Sequence, residues 1–229
     1  MKGTKFATNV KIGLRAFSIL LVSFAARITI AGEPAAQSPV TLTVSVFNDA
    51  SVPASVLAEA HARAASVMRQ AGVDLQWLDC GGPGPRIANS GCSAIIFPRH
   101  VSVRLVSKAI PPKADVFGQS FQNEAGEGSY AVVYYLVLAA SRAAQRLRTG
   151  DLLGLVISHE LGHLLLGKDS HSHNGLMAAM WQTPELREAA EGKLFFSPDQ
   201  SDRMRLRYFM ASVRPQTPSE RPLIAASGK

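Results

Sequence analysis

At 229 residues, with 47% hydrophobic and 18% charged residues, the chain has the composition of a globular domain with a sizeable core and not of a disordered one. The formal charge of +7 does not mark a nucleic-acid partner. Five basic residues (Lys2, Lys5, Lys11, Arg15, Arg27) and no acid precede Glu33, which leaves +2 for the remainder, and no basic patch with interleaved aromatics occurs.

The basic opening leads into an apolar run from Ala16 to Ala26, and Ala31-Gly32 supplies a small-residue exit. That is the layout of a secretory signal peptide over residues 1–32, and the run is too short for a comfortable membrane span. Arg27 interrupts the pattern, so an uncleaved membrane anchor or a transit peptide stays open. The expectation is an exported monomer, secreted or periplasmic, with no stable membrane span. Residues 33–229 would form one domain, with 213–229 a loose tail.

In chain order, Leu42, Val44 and Val46 alternate with Thr41, Thr43 and Ser45, the pattern of a half-buried strand. Asn48, Asp49 and Ser51 offer caps for a helix with Pro53 in its first turn and apolar residues from Val56 to Ala71 at helical spacing; Gly72 stops it. Val73 to Leu78 predicts the next strand, parallel to the first through a crossover. His61 and His100 have no partner nearby in sequence and read as structural. Cys80 and Cys92 bracket a loop rich in glycine and proline, and an even pair in an exported chain reads as a disulfide. The alternative is a metal ligand or a cysteine that blocks a metal site.

Val101 to Leu105 predicts a third strand, and after Pro111-Pro112 two more follow over 116–121 and 129–136, joined by the loop 122–128 as a hairpin. One of these could be an exposed antiparallel edge able to hold an extended peptide. Val137 to Arg148 predicts a helix with basic residues toward its end. Thr149-Gly150-Asp151 then caps a further helix that is apolar on nearly every side. The predicted fold class is α/β (α+β): a twisted, mostly parallel mixed sheet with an antiparallel edge strand, packed on helices.

That last helix carries His159-Glu160-Leu161-Gly162-His163. His163 falls about 40° around the axis from His159, and Glu160 about 60° beyond it, so all three leave one face. Two neutral imidazoles one turn apart can bind one zinc ion, and the adjacent carboxylate is placed to take a proton from water at the metal. Burying these groups on an apolar helix is costly unless something pairs with them. Beyond Gly167, Asp169, His171 and His173 each could complete the site, and Glu185, Glu188 and Glu191 represent the rival arrangement with a glutamate on a later helix.

The run His159-Glu160-x-x-His163, followed by His171-Ser172 and then Gly175-Leu176-Met177, resembles the metzincin clan of zinc endopeptidases, and most closely its matrixin side. The resemblance implies a zincin-like fold and one catalytic Zn2+ held by His159, His163 and His171. It also implies Glu160 as general base and acid, Met177 as an apolar floor beneath the ligands, and a peptide or protein substrate. Two departures stand out. His171 lies eight residues beyond His163 where the family spacing is six, at which Asp169 stands, and no tyrosine follows Met177. The alternative is a secreted zinc-binding or protein-interaction domain on the same scaffold, without turnover. After Trp181, Ser197 and Pro198 predict the start of a final helix with apolar contacts from Met204, Leu206, Tyr208 and Phe209.

Overall fold

Strands β1 (Val40–Asn48), β2 (Val73–Asp79), β3 (His100–Val106), β4 (Gly118–Phe121) and β5 (Tyr130–Tyr134) form one sheet in the order β2-β1-β3-β5-β4. The structure is a computed structural model that describes residues 39–82, 90–108, 116–141 and 143–214. The expected leader and most of the expected tail lie outside the described residues, as do Pro111-Pro112 and the middle of the cysteine loop. β1 pairs in parallel with β2 and β3, β3 pairs in parallel with β5, and β4 runs antiparallel to β5 at the edge. This is the mixed α/β architecture expected, a mostly parallel sheet with an antiparallel edge strand packed on helices.

The alternation in β1 sends Leu42, Val44 and Val46 into the core, where Val101, Val103 and Leu105 of β3 and Ala131 and Val133 of β5 join them. On the opposite face of β1, buried Ser45 meets His100 Nε2 at 2.7 Å, which gives that histidine a structural partner. Helix α1 (Ala54–Gln70) connects β1 to β2 and ends at Gly72, whose φ of +78° a residue with a side chain rarely adopts. None of the expected cap residues binds the first turn of α1. Asn48 instead folds back on the loop, accepting from Val52 N–H at 2.8 Å and donating to Val52 C=O at 2.9 Å. His61 of α1 stacks on Trp77 of β2. After β2 comes the short helix α2 (Ser90–Ser93), and Cys80 and Cys92 form the expected disulfide.

The helix expected over 137–148 is much shorter. Helix α3 (Tyr135–Ala139) stops early, and turns follow in which Ser141 Oγ accepts from Ala144 N–H at 3.2 Å. Helix α4 (Thr149–Leu166) then crosses the core, buried at almost every position except at the histidines. Its first residues carry no side-chain cap; Arg148 pairs with Asp151 across the first turn at 2.9 Å. Gly150 and Gly154 have packing roles: a β-carbon on Gly154 would lie 2.6 Å from Ala60 C=O of α1, and one on Gly150 would lie 2.5 Å from the Glu59 side chain. The two helices thus approach backbone to side chain along a glycine stripe.

Helix α5 (Thr183–Ala190) begins with a capping box between Gln182 and Glu185, and helix α6 (Pro198–Val213) with one between Ser197 and Gln200. In α6 Met204 is buried, but Leu206 and Phe209, expected as contacts, are exposed. α6 nevertheless ties the fold together by polar bonds, with Arg205 donating to Ala71 C=O at 2.9 Å and Arg207 to Gly126 C=O at 2.8 Å. No described helix is long and apolar enough to cross a membrane.

Replacing Gly154 with Ala should destabilise the protein although alanine favours helix. Helix propensity gains about 1 kcal/mol, but overpacking against Ala60 costs about 1–3 kcal/mol. A net loss of up to about 2 kcal/mol in urea unfolding is expected; a gain would show that α1 can recede without cost.

Candidate metal centre

The face of α4 toward the edge strand presents His159, Glu160 and His163, and the chain beyond Gly167 returns His171 to the same place. The Nε2 atoms of His159 and His163 are 3.0 Å apart, and those of His163 and His171 are 3.1 Å apart. Among the described residues these three histidines are the one group of three or more potential ligands whose donor atoms converge, all within 4.8 Å. Asp169, His173, Glu185, Glu188 and Glu191 are not part of it. Asp169 and His173 are exposed, and Glu185 is buried but engaged in the capping box of α5.

The return depends on backbone that favours glycine. Gly167 ends α4 at φ +89°, and a β-carbon there would strike the Arg207 guanidinium at 2.5 Å. Asp169 follows at φ +54°, a left-handed conformation that aspartate tolerates better than most residues. The two reversals bring Ser170 Oγ to 2.7 Å from His163 Nδ1 and carry His171 over the helix face. The segment from Gly175 then passes beneath. Ala178 N–H donates to Gly175 C=O at 3.0 Å to close the turn, and Met177 is fully buried against Gly162, where a β-carbon would lie 2.7 Å from Met177 Sδ.

The imidazole hydrogen bonds decide what the site can hold. His159 Nδ1 faces Leu176 C=O at 2.8 Å, and a carbonyl can only accept, so Nδ1 carries the proton and Nε2 a lone pair. Trp181 Nε1–H donates to the same carbonyl at 3.0 Å, which fixes the peptide from its other side. The Ser170 hydroxyl can accept from His163 Nδ1 in the same way. Nε2 lone pairs then point at one another across about 3 Å, an arrangement that needs a positive centre. A proton is a poor candidate: burial holds His159 down to about 4 and, with its two imidazole neighbours, His163 down to about 3. A metal ion fits. Zinc binds imidazole at about 2.0–2.1 Å with tetrahedral angles, which places ligand nitrogens about 3.3 Å apart, close to the spacing present.

Glu160 completes the arrangement from the side of β4. Its carboxylate accepts from Ser120 Oγ at 2.6 Å, and burial outweighs that bond to push it up to about 7. Gly118 makes the room, since a β-carbon there would lie 2.6 Å from Glu160 Oε1. Gln122, just past the end of β4, donates to His163 C=O, so the alternate residues Gly118, Ser120 and Gln122 are registered on α4. Ser120 was not foreseen from the sequence; its place on the inward face of the edge strand was the available signal. These groups open on a cleft of about 890 Å³ between β4, the 140–146 turns and the segment after Met177.

No family model matches the chain, and no curated protein matches it in sequence. Among solved structures it is similar to an archaemetzincin from Methanopyrus kandleri (18% identity over 75% of this chain and 97% of that one, TM-score 0.42). It is also similar to a zinc-dependent peptidase from Methanocorpusculum labreanum (16% identity over 70% of this chain and 99% of that one, TM-score 0.47). Metalloproteinase-II from Bacteroides fragilis is a third (12% identity over 74% of this chain and 53% of that one, TM-score 0.44).

The titrations have a consequence for the chelator-treated protein. His159 and His163 sit below their ordinary 6.5, so the unfolded chain binds more protons than the folded one from about 6.5 down to about 4, and acidification there costs stability. Glu160, raised from 4.5 to about 7, acts in the opposite sense through most of that window. Two imidazoles against one carboxyl leave a net loss toward acid. The melting temperature of His163→Asn should therefore fall less steeply than that of the parent between pH 6.5 and 4.5; equal slopes would refute the assignment.

Proposed function

We propose that this chain is an exported zinc-dependent endopeptidase, with His159, His163 and His171 as ligands and Glu160 as general base and acid. The observation that carries the reading is the convergence of three imidazole nitrogens beside a buried carboxylate at the floor of a cleft. Zinc held there would supply Lewis acidity toward a scissile carbonyl and toward a water molecule. Glu160 would accept the proton of the attacking water and pass it to the leaving nitrogen. Burial, against the Ser120 hydrogen bond, puts Glu160 near 7, within reach of both protonation states at neutral pH, and a dication nearby would draw it lower. Ser120 holds the carboxylate toward the histidines through its hydroxyl hydrogen bond.

The substrate would lie along β4. Among the described residues that strand pairs only with β5, and Gly118, Gln119 and Ser120 line the cleft, so its second edge can take an extended peptide by main-chain hydrogen bonds. Export is supported by the Cys80–Cys92 disulfide, which belongs to an oxidising compartment, and by the pattern of residues 1–32.

Glu160→Gln should retain zinc and lose hydrolysis of a peptide library by about a thousandfold, within the range general-base removal produces. His171→Ala should lose zinc, whereas Asp169→Asn and His173→Ala keep it. Undiminished cleavage by Glu160→Gln would defeat the mechanism. Stoichiometric zinc in a parent protein that cleaves nothing would favour the non-catalytic binding domain.

A further inference from the structure

The cleft holds a cation that nothing in the proposed chemistry uses. Arg146 lines it together with His159 and Glu160, on the wall formed by the turns between α3 and α4. Its backbone is held in place. Arg146 N–H and Leu147 N–H both donate to Ala143 C=O, at 3.0 and 3.1 Å, and Ala143 and Leu147 are packed into the main core. The Arg146 side chain is exposed, and among the described residues it has no hydrogen bond or ion pair. Arg148, two residues on, shows the contrast: it is paired with Asp151 at 2.9 Å and Glu59 at 3.5 Å.

Charge and surroundings narrow what Arg146 can take. Glu160 is the one acid among the described lining residues, and its carboxylate is bonded to Ser120 and belongs to the metal face. The cleft that Arg146 lines is also lined by the apolar side chains Ala140, Val156, Trp181 and Leu186. Such walls accept the methylenes of a side chain and strengthen an ion pair at their end. Val156 precedes His159 by three residues, about 4.5 Å along the helix axis, little more than the 3.3 Å step of an extended peptide. Because Arg146 lines the same cleft as Val156, His159 and Glu160, a group that it holds is within a few residues of the bond at the metal.

We propose that Arg146 is a specificity residue that selects a carboxylate on the bound peptide close to the scissile bond. That carboxylate is either an acidic side chain or the terminal carboxylate of the chain. The planar guanidinium offers two parallel N–H donors to it, a fit that a lysine would not reproduce. The inference rests on the peptidase reading for the presence of a bound peptide.

The test uses two arms. In the first, amidated peptides differ only in Glu, Gln or Lys at each position on either side of the cleaved bond. In the second, neutral peptides end in a free acid or an amide at each distance from it. kcat/KM is read for the parent, Arg146→Gln and Arg146→Glu, and the same peptides compete for zinc-loaded Glu160→Gln, so preference is also read without turnover. At one position Glu should exceed Gln by about tenfold, as one charge-assisted pair supplies. Arg146→Gln should erase that preference and Arg146→Glu should turn it toward Lys; a response confined to the second arm assigns the terminal carboxylate. A preference that survives Arg146→Glu, or none in either arm, overturns the inference while cleavage of neutral peptides leaves the peptidase reading standing. Binding preference that tracks Arg146 in a protein that cleaves nothing has the reverse meaning.

Discussion

Taking a carboxylate and two imidazoles out of water on a single helix costs several kcal/mol for each group left without a partner. Helix α4 does this in the middle of the core, and the elements around it are placed so that each polar group is met. Leu176 C=O from the turn above Met177 meets His159, Ser170 from the loop after the helix meets His163, and Ser120 from the edge strand meets Glu160. Three separate segments converge on one helical turn. What they leave unsatisfied is the set of Nε2 lone pairs, and the residual demand is for a cation.

The same constraint accounts for the edge hairpin. A strand of four residues at the end of a sheet has little to fix its position. Here β4 and the residue after it are pinned to α4: Gly118 by its close approach to Glu160, Ser120 by its hydroxyl, and Gln122 by the His163 carbonyl. The hairpin tip is held as well, since Gly126 packs on Gly167 and Lys168 and accepts from Arg207 of α6. Pinning that face sets the distance of the strand from Glu160, and among the described residues the edge of β4 away from β5 has no strand partner.

Much of this was legible in the residues. The alternation of β1 and β3, the glycine stop at Gly72 and the triad on α4 all follow from periodicities that burial enforces. The segment 137–148 was misread because its helix formers satisfy a helix and a run of turns equally. Ala143 and Leu147 are four apart and both buried, yet the chain between them is a turn, started by Ser141. The breaker was a side-chain hydrogen bond, which competes with helix locally and leaves no periodic trace. Asn48 is the same case: a residue type suited to capping bonded to the loop instead. Gly150 reads as part of a helix cap, and the packing role of Gly150 and Gly154 appears only once α1 is seen against them.

The loop between His163 and His171 shows why spacing alone could not choose among the candidates. At the six-residue spacing expected from the metzincin resemblance stands Asp169, and its conformation is spent on reversing the chain, with φ +54° two residues after the turn at Gly167. Two further residues then reach the metal face. The first of them, Ser170, is buried and bonded to His163 Nδ1, and the second is His171. The extra length therefore supplies the partner that orients one imidazole and delivers a further imidazole in the same turn. A shorter loop would have to find that partner elsewhere, because His163 cannot present a neutral Nε2 to the cluster unless its Nδ1 proton is accepted.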